Sequence, residues 1–178
     1  MVSLGRLPVH DEKGALNVVV ECPRGAAVKL KYDDKLEAFT ISRALPLGLT
    51  YPFDWGFIPS TLAQDGDPLD ALVIHDTATY PGVILPCRAI GVVEVIQQGR
   101  GGKRIRNDRI IARPLWHERM GEFEGVQQIP ARLRQEIAQF FLSATFFSGK
   151  NPKIRGWRGP REAAAAIHAA RAELLEKE

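Results

Sequence analysis

A fold of the α+β class, mainly β, is predicted for this chain by two patterns. Between residues 17 and 113 the sequence is built from short β-branched or alternating runs separated by turn residues. Such runs, roughly four to eight residues long and bounded by Gly, Pro, Asn and Asp, are the signature of strands. After Pro130 the pattern changes to two stretches with apolar residues three and four apart, the spacing of amphipathic helices. The chain has 178 residues, 45% of them apolar. That is enough for one domain with a real core, so a single domain over 1–178 is expected, and a disordered chain is excluded.

The elements follow in order. Asn17 to Glu21 is a β-branched run that ends at Cys22-Pro23 and predicts a strand. Val28-Lys29-Leu30-Lys31-Tyr32 alternates apolar and basic residues, which predicts a half-exposed strand with both lysines on one face, projecting into one pocket. Asp33-Asp34-Lys35 turns the chain, and Ala38 to Ser42 returns as its partner, followed by Arg43. Tyr51, Phe53, Trp55 and Phe57 lie two apart, so an extended segment would put all four rings on one face, in the core. Leu69 to Ile74 predicts a buried strand. Val83 to Ile96 predicts one bent strand or two, with Gly91 at the bend, and Gln97 to Gly102 a hairpin tip from which Lys103 to Arg113 returns. Pro130 opens a helix with Leu133, Ile137, Phe140 and Ala144 inward, and Lys150 to Trp157 reads as a polar loop. Pro160 opens a last helix striped by Ala163, Ile167, Ala170 and Leu174.

The stretch richest in chemistry is Asp65-Gly66-Asp67-Pro68-Leu69-Asp70, with three carboxylates in six residues at the mouth of a buried strand. Asp65 and Asp67 share a side if the chain is extended, Gly66 lets another atom approach the backbone, and Pro68 stiffens the turn. Three acids this close repel one another. A divalent cation relieves that, and hard oxygen ligands suit magnesium, manganese or calcium. A solvated turn before a strand is the alternative. An EF-hand loop needs Gly at its sixth position and Glu at its twelfth; counted from Asp65 these are Asp70 and Asp76.

Other chemistries lack their motifs. The sequence has no GxGxxG after a strand, no Walker A loop and no GxSxG elbow. His117-Glu118 is followed by Gly121 where an HExxH zinc site needs histidine, and His10, His75 and His168 are isolated and read as structural. No apolar run approaches the ~18 residues that span a bilayer, and Met1 to Gly14 has no apolar signal core, so no membrane association and a cytoplasmic location are expected. Cys22 and Cys87 lack CxxC spacing and suit buried thiols in a reducing compartment. The net charge of +3 suits an anionic ligand.

On these residues the sequence resembles the soluble family I inorganic pyrophosphatases, over Asn17 to Phe141. Asp65-Gly66-Asp67-Pro68-Leu69-Asp70 is similar to that family's signature. The resemblance implies a small, closed, twisted OB-like β-barrel flanked by two or more helices. It implies hydrolysis of pyrophosphate with Mg2+, or with Mn2+ or Zn2+, in a homo-oligomer, often a hexamer in bacteria. By the same resemblance Asp67 activates water, and Asp65, Asp70, Glu21 and Asp108 hold metal. Lys29 and Arg43 bind phosphate and take part in catalysis with Tyr51, and Trp55 and Arg109 stand at substrate-binding places. The chain departs from the family where Lys31 replaces an acid, Trp55 a tyrosine, Gln97 an aspartate, Arg109 a lysine, and Ala144-Thr145 a Tyr-Lys pair. One side of the site is thereby thinned. Two other functions are carried beside hydrolysis. One is a pyrophosphatase-like binder of phosphate compounds without turnover. The other is an OB-type nucleic-acid module using Arg100, Lys103, Arg104, Arg106, Arg109 and Arg113, which the acidic loop opposes because it would repel a polyanion.

Overall fold

The computed structural model describes residues 3–116 and 123–177; His117 and Glu118 lie outside them. In chain order the elements are β1 (Leu16–Cys22), β2 (Val28–Asp33), β3 (Ala38–Ala44), β4 (Asp54–Ile58), β5 (Leu69–Val73), β6 (Ile84–Gln98), β7 (Arg104–Arg106), β8 (Arg109–Pro114), α1 (Ala131–Ala144), β9 (Lys153–Arg158) and α2 (Pro160–Leu175). Hydrogen-bonded pairs run β1–β4–β5–β8–β6 and back from β6 to β1, a closed ring of five strands. This ring is consistent with the OB-like fold expected from the resemblance. Within the ring, β5 and β8 pair parallel and every other neighbour antiparallel. β2 and β3 form a separate antiparallel hairpin that sets Lys29 opposite Arg43.

Strands with both faces covered explain why their sequences read as continuous apolar runs. On β5, Leu72 packs in one core cluster while Leu69, Ala71 and Val73 pack in the other. On β8, Ile111 faces the first cluster and Ile110 and Ala112 the second. This is the period-2 alternation of a strand with a core on each side. The first cluster is closed by Ile137, Phe140 and Phe141 of α1, the second by Ala163, Ile167 and Ala170 of α2. Pro160 occupies the first turn of α2, where its missing N–H costs nothing.

Long β6 is the spine of the ring, pairing in turn with β1, β8, β9 and β7. It bends at Gly91, where its register with β8 shifts. A Cβ at Gly91 would lie 2.3 Å from Val126 Cγ1 and 2.5 Å from the Arg158 carbonyl oxygen, so glycine is required for close packing.

The structure differs from the sequence reading in three places. The polar stretch read as a loop contains β9, which pairs only with β6; its alternating basic side chains are those of an edge strand facing water. The segment returning from the hairpin is two strands, β7 and β8, both paired with β6 in one register and interrupted at Asn107-Asp108, after which β8 also pairs with β5. All four rings of the aromatic segment are buried, but Phe57 packs with Tyr32 and Val19, away from Tyr51, Phe53 and Trp55. Trp55 and Phe57 stay on one face of β4, opposite Leu72 and Asp70 of β5, but pack in separate clusters along it.

Candidate active site

The acidic loop is shaped by its own backbone. Gly66 adopts φ +88°, which only glycine takes without strain, and its N–H donates to the Ala63 carbonyl (3.0 Å). Ala63 N–H donates to the Asp67 carbonyl (2.8 Å) and Asp67 N–H to Asp65 Oδ1 (3.3 Å). Thr61 Oγ1 accepts from Leu69 N–H (2.9 Å), fixing the point where β5 begins. Asp70, on β5, is thereby set between Phe57 of β4 and Arg109 of β8.

These constraints deliver Asp65, Asp67 and Asp70 to one cavity of about 290 Å³. Lys29, Lys31, Arg43, Tyr51, Trp55 and Arg109 line it as well. Glu21 lines an adjoining cavity of about 450 Å³ that shares Lys29, Lys31, Asp67 and Asp70 with the first. The three aspartates meet Lys29 and Arg43 in one cavity, while Glu21 stands in the adjoining one rather than in the same pocket.

Each aspartate has a different polar partner. Asn107 Nδ2 donates to Asp65 Oδ2 (2.8 Å). Lys31 Nζ lies 2.5 Å from Asp67 Oδ1. Arg109 Nη1 lies 3.4 Å from Asp70 Oδ2 and also donates to the Asn107 carbonyl, with its guanidinium 5.6 Å from the centre of the Trp55 ring. Glu21 Oε1 accepts from Tyr32 N–H (2.8 Å). The Lys29 and Arg43 side chains make no hydrogen bond or ion pair among the described residues. The buried Trp55 indole N–H lines the cavity without a hydrogen-bond partner among the described residues. Free cations and an unused donor facing one hollow are what an anionic ligand with several oxygens needs.

Electrostatics set the acids apart. Burial pushes the Glu21 carboxyl up to about 7, helped by the charge of Asp70 and opposed by its bond from Tyr32 and by Lys29 and Lys31. Burial, and then the charge of Asp70, raises Asp65 as well. Burial works against the Lys31 ammonium, yet its bond to Asp67 prevails and its pKa is raised. Tyr51 is held above its ordinary value by burial and by neighbouring Cys22.

Among the described residues no three His, Cys, Asp or Glu side chains form a ready cage for a metal ion. The donor set at the loop is nonetheless all carboxylate, and the buried Glu21 and half-buried Asp65 are pushed upward, Asp65 partly by the charge of its neighbours. Such a set fits a hard cation that keeps several waters and completes its shell with substrate phosphates.

Asp108 corrects the sequence reading. Its Oδ1 accepts from Val95 N–H (3.1 Å), its Oδ2 pairs with Arg106 (2.6 Å), and it lines a different hollow, beside α2. The neighbour on the cavity side is Asn107. A second residue was missed altogether. Lys150, just after Gly149 in its left-handed turn, lines the cavity between Asn107, Arg109 and Thr145. Its carbonyl accepts from Gln98 N–H (2.7 Å) and Asn151 Nδ2 donates to Gln98 Oε1 (3.2 Å), which pins its loop to the end of β6. Its only trace in the sequence is a basic residue following a helix that carries two inward phenylalanines. Ala144 and Thr145 line the cavity without charge, so that wall is thinned as expected, while Gln97 is buried elsewhere. His75 is buried with Nε2 3.0 Å from Asp54 Oδ2, a structural pair away from the loop.

Comparison with known proteins agrees with this geometry. The family profile for inorganic pyrophosphatase matches residues 18–174. The inorganic pyrophosphatase of a Nostoc species is 35% identical over 93% of this chain and 95% of its own. That of Thermus thermophilus is 35% identical over 95% of this chain and 96% of its own. The crystal structure of a Thermus thermophilus inorganic pyrophosphatase superposes with a TM-score of 0.88 over 98% of this chain and 99% of that one, at 33% identity. An inorganic pyrophosphatase structure from Neisseria gonorrhoeae gives 0.85 at 28% identity, covering 97% and 98% of the two chains. The matches span the ring, the acidic loop and both helices, and the chain belongs to the inorganic pyrophosphatase family.

Proposed function

We propose that this chain hydrolyses pyrophosphate to two orthophosphates with magnesium, manganese or zinc being the other ions to test. The observation that supports this most is the meeting of the Asp65-Asp67-Asp70 loop with the free cations Lys29 and Arg43 in one cavity. A divalent ion, held by Asp65 and Asp70 with Glu21, would neutralise phosphate charge and make the attacking water more acidic. Lys29 and Arg43 grip phosphate oxygens, Arg43 suited to two at once. Tyr51 and the Trp55 indole N–H close the wall behind them, and Arg109 reaches the same space while tied to Asp70. Water attacks one phosphorus, the bridging P–O bond breaks, and orthophosphate leaves with charge balanced by the cations. Asp67, in this assignment, accepts the proton of the water.

The nucleic-acid reading loses most of its free charge, keeping Lys103 and Arg104 exposed without an ion pair among the described residues. Arg106 is engaged by Asp108 and Glu94, Arg113 by Glu124, and Arg109 lies in the cavity; the Arg100 side chain is outside the described set. The same proposal makes the protein a single domain, a homo-oligomer and cytoplasmic. No described helix is long and apolar enough to cross a membrane.

The test is release of phosphate from pyrophosphate, with and without magnesium, by wild type, Asp67→Asn and Asp70→Asn. Loss of a general base typically costs about 10²–10⁴-fold, so Asp67→Asn turnover should fall by that range at saturating magnesium. Its fold should persist, because the Lys31 pair it breaks is half exposed on both sides. Magnesium affinity should fall further in Asp70→Asn. Near-wild-type turnover by Asp67→Asn would show that another group takes the proton. A wild type that releases no phosphate with any of the three ions would leave a binder without turnover.

A further inference from the structure

Lys31 sits on β2 two residues after Lys29, on the same face, and lines both contiguous hollows. Its ammonium touches Asp67 and also feels the charges of Glu21 and Asp65. As a staple for the fold this pair has little value, since both side chains are nearly half exposed and solvent screens them. Its position is more telling. Asp65 is held by a neutral amide and Asp70 by a guanidinium already tied to a carbonyl, while Lys31 is the lysine that pairs with an acid of the loop among the described residues. A compact ammonium on a flexible stem occupies the space beside a carboxylate much as a small hydrated cation does.

We propose that Lys31 is a tethered cation of the active site, standing beside Asp67 where its carboxylates would otherwise recruit a divalent ion. This rests on the reading of the acidic loop as a metal and phosphate site. The ammonium supplies charge but cannot accept oxygen ligands, so it neutralises Asp67 without adding a coordination centre. It leaves Asp65 and Asp70 for the metal. Its position is also adjustable: substrate phosphate entering the cavity offers a second anionic partner within reach of the same stem. This chain should therefore work with fewer bound divalent ions than one with an acid at position 31.

The experiment counts Mn2+ by the electron paramagnetic resonance of the free ion, in protein first stripped with chelator. Wild type, Lys31→Glu, Lys31→Met and Lys31→Arg are compared, with Lys35→Met as a charge control, since Lys35 lines the adjoining hollow without touching Asp67. Lys31→Glu should bind at least one more Mn2+ per chain. Lys31→Met should bind Mn2+ roughly ten- to a hundredfold more tightly than wild type, as removal of one nearby positive charge predicts. Lys31→Arg and Lys35→Met should match wild type. Melting curves confirm that each variant is folded. Equal counts and affinities in all five proteins overturn the proposal, and so does a Lys35→Met that matches Lys31→Met, which would mark a diffuse field. An extra ion in Lys31→Glu together with a wild type inert toward pyrophosphate upholds it while ending the pyrophosphatase reading. Absence of Mn2+ binding in every variant overturns both.

Discussion

Glu21 shows how one residue couples the site to the stability of the fold. It is the last acid of a fully buried strand, and burial lifts its carboxyl to about 7, against 4.5 in an unhindered chain. The folded state then holds this proton more tightly than the unfolded state. In metal-free protein the group therefore costs stability as pH rises from 4.5 through 7, and costs nothing below 4.5. The full shift corresponds to about 3 kcal/mol at most. Glu21→Gln removes a charge that Lys29 and Lys31 offset only in part and that a metal would compensate. Urea unfolding of metal-free protein should find Glu21→Gln more stable than wild type at pH 8, with the difference shrinking as pH falls and vanishing below 4.5. Magnesium at pH 8 should restore wild type more than the variant. A difference that ignores pH would mean that Glu21 is solvated and ionised throughout.

At the scale of elements, the sequence was most readable where one pattern decides one structure. The alternation of Val28 to Tyr32, the buried run after Asp70, the bend at Gly91 and the proline-led helices each have a single local cause, and the ring followed from the resemblance those residues carry. Legibility failed where facing depends on register. Asn107 and Asp108 are adjacent, yet one lines the cavity and the other pairs with Arg106 on the far side, because a slip of one residue reverses the face. β9 and the loop before it carry no local signal, since an edge strand of basic residues resembles a solvated turn. That loop brings in Lys150, which burial and the nearby Lys29 hold below its ordinary pKa and which has no hydrogen bond or ion pair from its side chain among the described residues. It restores a cation to the wall where Ala144 and Thr145 supply none. Hydrogen bonds to charged groups are worth about 1.5–3 kcal/mol, so Lys150→Met should raise the KM for pyrophosphate about ten- to a hundredfold, with Lys150→Arg recovering most of the loss. An unchanged KM in steady-state kinetics would return Lys150 to the role of a spectator.

At the scale of the whole molecule, the site belongs to no single element. Glu21 comes from β1, Lys29 and Lys31 from β2, Arg43 from β3, Asp70 from β5, Arg109 from β8 and Lys150 from a loop pinned to the end of β6. These positions come together only when the ring closes and the β2–β3 hairpin packs against it. A ligand that needs several of them binds the folded state alone and must stabilise all of it by mass action. Magnesium with a non-hydrolysable analogue such as methylenediphosphonate, at a hundred times its dissociation constant, should add about 2.7 kcal/mol. For a chain of this size each kcal/mol moves the melting temperature by roughly 2–4 °C, so an upward shift of about 5–10 °C relative to chelated protein is expected. The shift should appear in one cooperative calorimetric transition, because the ring, both helices and the hairpin carry the ligand together. Lys29→Met and Arg43→Met should reduce it without moving the melt of the chelated protein by more than a degree or two, since neither side chain makes a hydrogen bond or ion pair among the described residues. Two separate transitions, only one of them responding to ligand, would show that the hairpin and the ring unfold as independent units and that the cavity between them is not a single binding site.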